Sequence, residues 1–488
     1  MKEETEDGSF KRELGLLDGT MLVVGSMIGS GIFIVSADIT RNVGSAGWLI
    51  AVWVITGLMT MTAAISYGEL SGMFPKAGGQ YVYLKESYNK LIAFLYGWSF
   101  FAVIQTGTIA AVGVAFSKFA AYLVPALSED IKLLKIQTGL DACSQPTYFS
   151  ISSAQVMSIA IIALLTYSNT RGVKGGKWIQ NIFTTTKLVA LFGLILVGFV
   201  MFNPEVWNAN WTNAWMSTKA TLVDACNTAS GFSVTPIAGT ALLGGIAAAM
   251  VGSVFSSDAW NSVTFIAGEI KNPKRNVGLS LFLGTLIVTV IYIAANLVYL
   301  AVLPMDEIAH AAKDRVAVTA STVIFGDMGT KLIAVMIMIS TFGCNNGLIL
   351  AGSRVYYTMA QDGLFFKSAG KLNKHGVPQW ALWAQFLVAG VLCLSGKYGD
   401  LLDMISFVVV IFYVLTIGGI FILRKRLPNA ERPYKAFGYP VLPALYMVLG
   451  ICFCSLLIWF KPQFTWPGLI IVLIGIPIYY FTKQKEIN

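Results

Sequence analysis

The sequence predicts an all-α membrane protein of twelve transmembrane helices, of which the first and sixth are broken near mid-membrane. Of its 488 residues, 56% are apolar and 12% are charged, which is about half the charged share of an ordinary soluble domain. The apolar residues cluster into long windows, and Lys and Arg alternate between the linkers that separate them. A soluble enzyme of this length is excluded, because its surface would need many more polar residues.

Twelve apolar windows, each long enough for most or all of a bilayer crossing of about 20 residues, account for the predicted spans. Numbered 1 to 12 in chain order, the spans lie at 16–38, 47–70, 91–124, 153–168, 177–202, 238–268, 277–302, 329–358, 380–395, 402–423, 441–459 and 467–481.

Basic residues divide the linkers into two sides, with 23 Lys and Arg on one side and 10 on the other. The positive-inside rule assigns the more basic side to the cytoplasm, so both termini are predicted to be cytoplasmic. An even number of spans places both termini on the same side of the membrane, which agrees with this orientation. The net charge of +9 therefore reflects topology rather than nucleic-acid binding. We expect no signal peptide, because no apolar segment with a cleavage site precedes span 1. The expected location is the cell membrane, or the inner membrane if the source is bacterial.

Spans 1 and 6 run in opposite directions, which makes spans 1–5 and 6–10 candidate inverted repeats. The predicted organisation follows from this division. It comprises a cytoplasmic N-terminal segment (1–15), a first repeat (16–202), an extracytoplasmic loop (203–237), a second repeat (238–423), spans 11 and 12 with the preceding cytoplasmic loop (424–481), and a cytoplasmic tail (482–488).

Six cysteines show no metal-type spacing, and four of them lie within apolar runs. The other two, Cys143 and Cys226, lie in the two longest extracytoplasmic linkers. A disulfide between them is chemically allowed in an oxidising compartment, and two free thiols are the alternative. No metal site and no cofactor are predicted.

Spans 1 and 6 both contain clusters of small and polar residues where an unbroken helix would favour Leu or Ala. Span 1 has three glycines and two serines between Gly25 and Phe33, and span 6 has the run from Gly252 to Asp258. Either cluster alone is explained by close helix packing. Interruptions at corresponding positions of two inverted repeats instead indicate a transport site near the bilayer midplane.

An interrupted helix leaves backbone N–H and C=O groups without helical partners, and lipid does not satisfy them. An amino acid zwitterion supplies both partners. Its carboxylate would accept from N–H groups near Ser30 and Gly31, and its ammonium would donate to carbonyls near Met27 and Phe255. The predicted substrate-binding residues are Met27, Ile28, Gly29, Ser30, Gly31, Phe255, Ser256, Asp258 and Asn261.

Several motifs carry a resemblance to a known family. They are Gly29 to Phe33 (GSGIF), residues 69–83 (ELSGMFPKAGGQYVY), residues 93–98 (AFLYGW), Trp260-Asn261, Gly268-Glu269 with Asn272-Pro273, Asn346-Gly347, Ser353-Arg354, Asp362-Gly363, residues 432–435 (RPYK) and Tyr439-Pro440. With these motifs the chain resembles the amino acid–polyamine–organocation superfamily, and within it the L-type amino acid transporter family and its bacterial relatives. The likeness covers nearly the whole chain.

The resemblance implies a LeuT-type fold with five-plus-five inverted repeats, sodium-independent amino acid transport and alternating access. It makes Phe255 a gate over bound substrate, with ordinary packing as the alternative. It also places the ammonium of Lys187 where sodium-coupled relatives bind sodium, in contact with span 1 carbonyls near Gly29 and a hydroxyl such as that of Ser340. A lysine that reaches the membrane surface is the alternative reading of Lys187.

Two departures from the family pattern stand out. Ala259 replaces a glycine that many members carry before the tryptophan of span 6. The loop after span 3 is longer than in animal members, whose cysteine there bonds to a glycoprotein partner. Cys143 matches that cysteine by position, but the surrounding loop does not match, so no obligatory glycoprotein subunit is expected.

Other intramembrane charges are open to two readings. Asp258 could attract a cationic substrate or cap the second half of span 6, since Asp is a good N-cap residue. Glu69 and Glu269 are expected to be structural, paired with Arg354 or with loop lysines. A membrane enzyme is disfavoured because the spans hold no nucleophile–base or metal constellation, and a channel because no filter or charged ring appears.

The sequence therefore predicts a transporter rather than an enzyme. We expect sodium-independent exchange of neutral L-amino acids, with proton-coupled symport or cationic substrates as alternatives. The expected partners are small amino acids and the lipid bilayer.

Overall fold

The computed structural model describes residues 12–140, 146–223, 231–395 and 398–484. Every predicted span is helical there, so the prediction of an all-α membrane fold is confirmed. Among the described residues, eight helices are long and apolar enough to cross a membrane, and they are spans 2, 3, 5, 6, 7, 8, 10 and 11. The unbroken spans are Ala46–Met73 (2), Lys90–Ala120 (3), Ser153–Thr170 (4), Val173–Val200 (5), Pro273–Val302 (7), Asp327–Gln361 (8), Gln379–Ser395 (9), Tyr398–Arg426 (10), Val441–Phe460 (11) and Pro462–Gln484 (12).

Spans 1 and 6 are both broken, as predicted. Span 1 consists of helix 1a (Leu16–Met27), a 3-10 turn (Gly31–Phe33) and helix 1b (Val35–Val43). Span 6 consists of helix 6a (Gly239–Ser256) and the short helix 6b (Ser262–Phe265). The sequence placed the second break too early, because helix 6a continues through Gly252 and ends only at Ser256.

Shorter elements connect the spans. Four of those in the described part of the chain are α-helices, at Gln80–Ser87, Pro204–Thr212, Met305–Ala309 and Val316–Phe325. Two antiparallel hairpins lie in the long linkers that the charge pattern assigns to the outside. They pair β1 (Lys132–Leu140) with β2 (Pro146–Ser152), and β3 (Thr218–Leu222) with β4 (Phe232–Pro236). Cys143 and Cys226 lie outside the described residues, so their disulfide stays a prediction.

Local sequence signals explain where several helices begin and end. The Asn89 side chain accepts from the Ile92 N–H at 3.0 Å and caps the start of span 3. Ser152 and Gln155 form a capping box at the start of span 4. Helix 1b ends at Gly44, whose φ of 64° is the left-handed conformation that favours glycine at a helix C-terminus.

The two broken spans lie at the centre of the fold. Helix 1a packs against spans 5, 7 and 8, helix 1b packs against helix 6a, and span 2 packs along span 7. Span 11, in contrast, has a largely exposed face. Both breaks are therefore enclosed by protein, where irregular backbone is tolerated within a membrane.

Buried ion pairs join the spans on the side predicted to be cytoplasmic. Arg354 donates to Glu269 at 2.8 Å between fully buried side chains, which confirms that expected pair. The expectation for Glu69 was wrong in its partners, which are Arg424 at 2.7 Å and Arg432 at 3.3 Å. Arg424 lies in the last turn of span 10 and Arg432 in the loop that follows it. Their planar guanidinium groups suit a carboxylate better than the ammonium of a lysine does.

Candidate functional site

The break in span 1 leaves backbone donors facing the interior. Helix 1a ends at Met27, and Gly29 N–H turns back to the Met27 carbonyl at 2.9 Å. The chain resumes a helical path only in the turn that starts at Gly31. No acceptor for the N–H groups of Gly31 and Ile32 lies among the described residues. Such N–H groups at the start of a half-helix form a site suited to an anion.

The break in span 6 spans residues 257–261. Ala259 lies at its centre with φ of 62°, a left-handed conformation that L side chains seldom adopt. The Asp258 N–H donates to the Phe255 carbonyl at 3.1 Å and closes the last turn of helix 6a. Phe255 therefore precedes the break, in the last turn of helix 6a. Its ring is buried.

The two breaks pack directly against each other. Gly31 of span 1 faces Ser256 of span 6 so closely that a Cβ atom on Gly31 would lie 2.7 Å from Ser256 Cβ. Gly29 is similarly close to span 8, where a Cβ atom would lie 3.2 Å from Cys344 Sγ. Contact with span 6 thus requires glycine at position 31, and a side chain at position 29 would press on Cys344 of span 8.

Lys187 reaches the end of helix 1a from span 5. Its Nζ donates to the carbonyls of Gly25 and Ile28, both at 2.6 Å, and the side chain is 1% exposed. This excludes the reading of Lys187 as a surface-reaching lysine. The Ile28 carbonyl adjoins Gly29, in the stretch of span 1 where the contact was expected, and the Gly25 carbonyl lies one turn earlier. Ser340 contributes its carbonyl, at 3.4 Å, rather than the expected hydroxyl.

Span 8 completes the set of donors around helix 1a. The Ser340 hydroxyl donates to the carbonyls of Ile28, at 2.9 Å, and Gly29, at 3.3 Å. Cys344 Sγ lies 2.9 Å from the Ser26 carbonyl. A fixed ammonium, a hydroxyl and a thiol thus satisfy the carbonyl end of helix 1a, which carries the negative end of the helix dipole.

Asp258 does not cap helix 6b. That helix begins after Asn261, which makes no side-chain capping bond. The Asp258 carboxylate instead accepts from the Tyr413 hydroxyl of span 10 at 2.5 Å. The Asn261 amide donates to the Gln80 side chain at 2.9 Å. Of the predicted site residues, Asp258 therefore faces span 10, and Asn261 faces the helix before span 3.

Two cavities adjoin the breaks. A small one of about 10 Å³ lies against polar groups of Gln80, Gln105, Asp258, Asn261 and Tyr413. A larger one of about 700 Å³ lies on the hairpin side. It extends from the β1–β2 hairpin to helices 1b and 6a, at Val35 and Gly252.

Sequence reasoning missed three contributors, Gln80, Tyr413 and Tyr292. The Tyr292 hydroxyl of span 7 lies 2.9 Å from the carbonyls of both Met27 and Ser256. One signal was available for Tyr292, because Tyr292, Asn296 and Tyr299 form a polar stripe at helical spacing in an otherwise apolar span. Gln80 lies within the quoted motif of residues 69–83, whereas Tyr413 carried no comparable signal.

Known proteins are similar to this chain over nearly its whole length. The family model described as amino acid permease matches residues 14–479. The serine/threonine exchanger SteT of Bacillus subtilis (strain 168) is 28% identical over 490 residues, covering 99% of each chain. The large neutral amino acids transporter small subunit 2 of Oryctolagus cuniculus is 28% identical over 97% of this chain and 80% of its own. The b(0,+)-type amino acid transporter 1 of Homo sapiens is 26% identical over 98% of this chain and 89% of its own.

Proposed function

The chain belongs to the amino acid permease family and is a multi-pass protein of the cell membrane, and from this premise we propose that it exchanges neutral L-amino acids by alternating access, independently of sodium. Residues 16–202 and 238–423 form the two inverted repeats of this proposal, and both termini are cytoplasmic. No obligatory glycoprotein subunit is needed.

The observation that carries the proposal is the meeting of the two breaks. Free N–H groups of Gly31 and Ile32 begin the second half of span 1. The carbonyls of Met27 and Ser256 end the first halves of spans 1 and 6, and both lie within reach of one hydroxyl. Donors for a carboxylate and acceptors for an ammonium therefore lie close together, as an α-amino acid requires.

Lys187 supports sodium independence. Its ammonium already donates to the carbonyls of Gly25 and Ile28, which are the kind of oxygen ligands that a sodium ion would need. A protein-borne cation at this point makes an imported one unnecessary.

The exchange mode and the substrate class have support from two sources. One of the relatives is named an exchanger, of serine and threonine. The small cavity beside Asp258, which is lined by both polar and apolar side chains, has room for about one water-sized group. Small neutral side chains, hydroxyl-bearing ones in particular, suit that space. The Asp258 carboxylate favours cationic amino acids as the second candidate substrates.

Flux through proteoliposomes tests the proposal. Purified protein is reconstituted with or without internal unlabelled L-serine, and labelled L-serine is added outside in sodium or choline buffer. We expect uptake only into vesicles with internal amino acid, at equal rates in both buffers. Uptake into empty vesicles that follows an imposed pH gradient would indicate proton symport instead of exchange. A requirement for sodium would contradict the proposed role of Lys187.

Competition experiments define what the site recognises. L-Serinamide lacks the carboxylate and is expected not to compete with labelled L-serine. L-Lysine competes strongly only if the cationic alternative holds. Equal competition by the amide would count against pairing of the carboxylate with the start of the 3-10 turn at Gly31.

A further inference from the structure

One face of span 7 contacts both broken helices. Tyr292, Asn296 and Tyr299 lie at positions i, i+4 and i+7 and are all buried. The Asn296 carboxamide oxygen accepts from the Ser36 hydroxyl of helix 1b at 2.7 Å. The Tyr299 hydroxyl donates to the Ile32 carbonyl in the break at 3.3 Å. Span 7 therefore binds polar groups on both sides of the span 1 interruption.

Tyr292 has the most specific contacts of the three. Its hydroxyl lies 2.9 Å from the Met27 carbonyl and 2.9 Å from the Ser256 carbonyl. These carbonyls are the last of helix 1a and of helix 6a, so the negative ends of two helix dipoles converge on one hydroxyl. A phenol has one hydrogen to donate, and the two carbonyls share it.

The ring of Tyr292 is held in place. It is 1% exposed and packs against the Trp53 ring of span 2 at a centroid distance of 5.2 Å with an interplanar angle of 69°, an edge-to-face arrangement that aromatic pairs favour. The Asn296 amide also donates to the Tyr292 carbonyl at 2.8 Å. The position of the hydroxyl is thus set by span 7 and span 2, independently of the broken helices.

We propose that Tyr292 is a positioning residue that holds the Met27 and Ser256 carbonyls at the spacing and direction required by the substrate's primary ammonium. A carbonyl oxygen has two lone pairs, so the Ser256 carbonyl can accept from Tyr292 and from the ammonium together. The Met27 carbonyl also accepts from Gly29 N–H at 2.9 Å, so there the ammonium shares the oxygen with two other donors. This inference rests on the proposed function, because it assumes that an α-amino acid binds at the two breaks.

A specificity follows for the amine of the substrate. A primary ammonium has three N–H donors, whereas an N-methyl ammonium has two and a bulkier group. Two carbonyls held at a fixed spacing favour the primary amine. Without the hydroxyl, the carbonyl ends separate and this preference falls.

Tyr292→Phe removes the hydroxyl and keeps the ring. A matched control is Tyr356→Phe in span 8, since Tyr356 is also buried and its hydroxyl has no partner among the described residues. Equilibrium binding in detergent and exchange in proteoliposomes are measured with L-alanine and with N-methyl-L-alanine. Size-exclusion profiles report folding, and binding is measured on the monodisperse fraction.

In Tyr292→Phe we expect the affinity for L-alanine to fall by up to about tenfold, the upper end of the usual scale for a neutral hydrogen bond, while the affinity for N-methyl-L-alanine changes little. The ratio of the two affinities should not change in Tyr356→Phe. If the ratio of the two affinities is unchanged in Tyr292→Phe, the positioning role of Tyr292 is wrong, whether or not the maximal rate falls. The proposed function would stand in that case. A wild-type protein that binds neither compound would overturn the proposed function, and this inference with it.

Discussion

Gly31 of span 1 packs against the backbone of Ser256 in span 6, so that a Cβ atom on Gly31 would lie 3.0 Å from Ser256 Cα. A side chain at position 31 would therefore meet main-chain atoms, which cannot rotate away. The same position holds an N–H group proposed to bind the substrate carboxylate.

Gly31→Val is expected to abolish exchange while leaving membrane insertion intact, because its branched side chain overlaps Ser256 and blocks the approach of a ligand. Exchange is measured in proteoliposomes and normalised to reconstituted protein. Gly193→Val in span 5 is the control, since a Cβ atom there meets nothing within 4 Å. Normal exchange by Gly31→Val would show that the break in span 1 is not the binding site.

Phe255→Ala is expected to reduce exchange on the order of tenfold, because the ring lies in the last turn before the break and its loss disturbs the geometry of the site. Phe199→Ala is the comparison, since that ring is 43% exposed on span 5. Initial rates are measured on equal amounts of folded protein. Equal effects of the two substitutions would assign Phe255 to packing rather than gating.

Lys187→Ala is expected to leave a folded protein whose exchange is strongly slowed, because the carbonyls of Gly25 and Ile28 lose their shared cation. The Ile28 carbonyl keeps its bond from the Ser340 hydroxyl, whereas the Gly25 carbonyl loses the ammonium, and a buried carbonyl left without a donor costs about 1–3 kcal/mol. Lys331→Ala, at an exposed lysine early in span 8, controls for loss of a positive charge. If Lys187→Ala exchanges at the wild-type rate, the proposed role of this residue is wrong.

Glu269→Gln is expected to destabilise the protein by about 3–5 kcal/mol, because it leaves the fully buried Arg354 charge without its carboxylate. Thermal unfolding in detergent measures the change. Glu431→Gln breaks the exposed pair with Lys274 and should cost less than about 1 kcal/mol. Similar melting temperatures for the two variants would contradict a structural role for the Glu269 pair.

The stability of the protein is expected to fall at acid pH, in part through Glu129 in the loop after span 3. Burial alone would raise its pKa, but Lys118 at 3.2 Å and Lys313 at 3.3 Å outweigh burial and lower the pKa below its ordinary value. A lowered pKa in the folded state stabilises the protein above the unfolded value of about 4.3, and this contribution disappears as the pH falls through the folded pKa.

The loss of melting temperature between about pH 7 and about pH 3 should therefore be smaller in Glu129→Gln than in the wild type. Glu307→Gln, at an exposed residue of the same side, should lose as much as the wild type. Identical acid sensitivity of all three proteins would show that the Glu129 cluster does not contribute.

The contacts of the candidate site were only partly predictable. Lys187 was identifiable because a lone lysine in an apolar span must find partners within the protein, but its bonds to Gly25 and Ile28 depend on the rotation of span 5 against helix 1a. The pairing of Asp258 with Tyr413 joins residues 155 positions apart. No local pattern distinguishes it from a helix cap.

The sequence by itself determined the twelve spans, the alternation of basic linkers and the presence of breaks in spans 1 and 6. These features follow from how each residue interacts with lipid, water and its own backbone, which are local properties. Only the tertiary structure decided that helix 6a runs to Ser256, that Gly31 meets Ser256, and that the Tyr292 hydroxyl bridges two helix ends. Those features depend on the packing of distant helices, where a shift of about one turn, or 5.4 Å, replaces one set of partners by another.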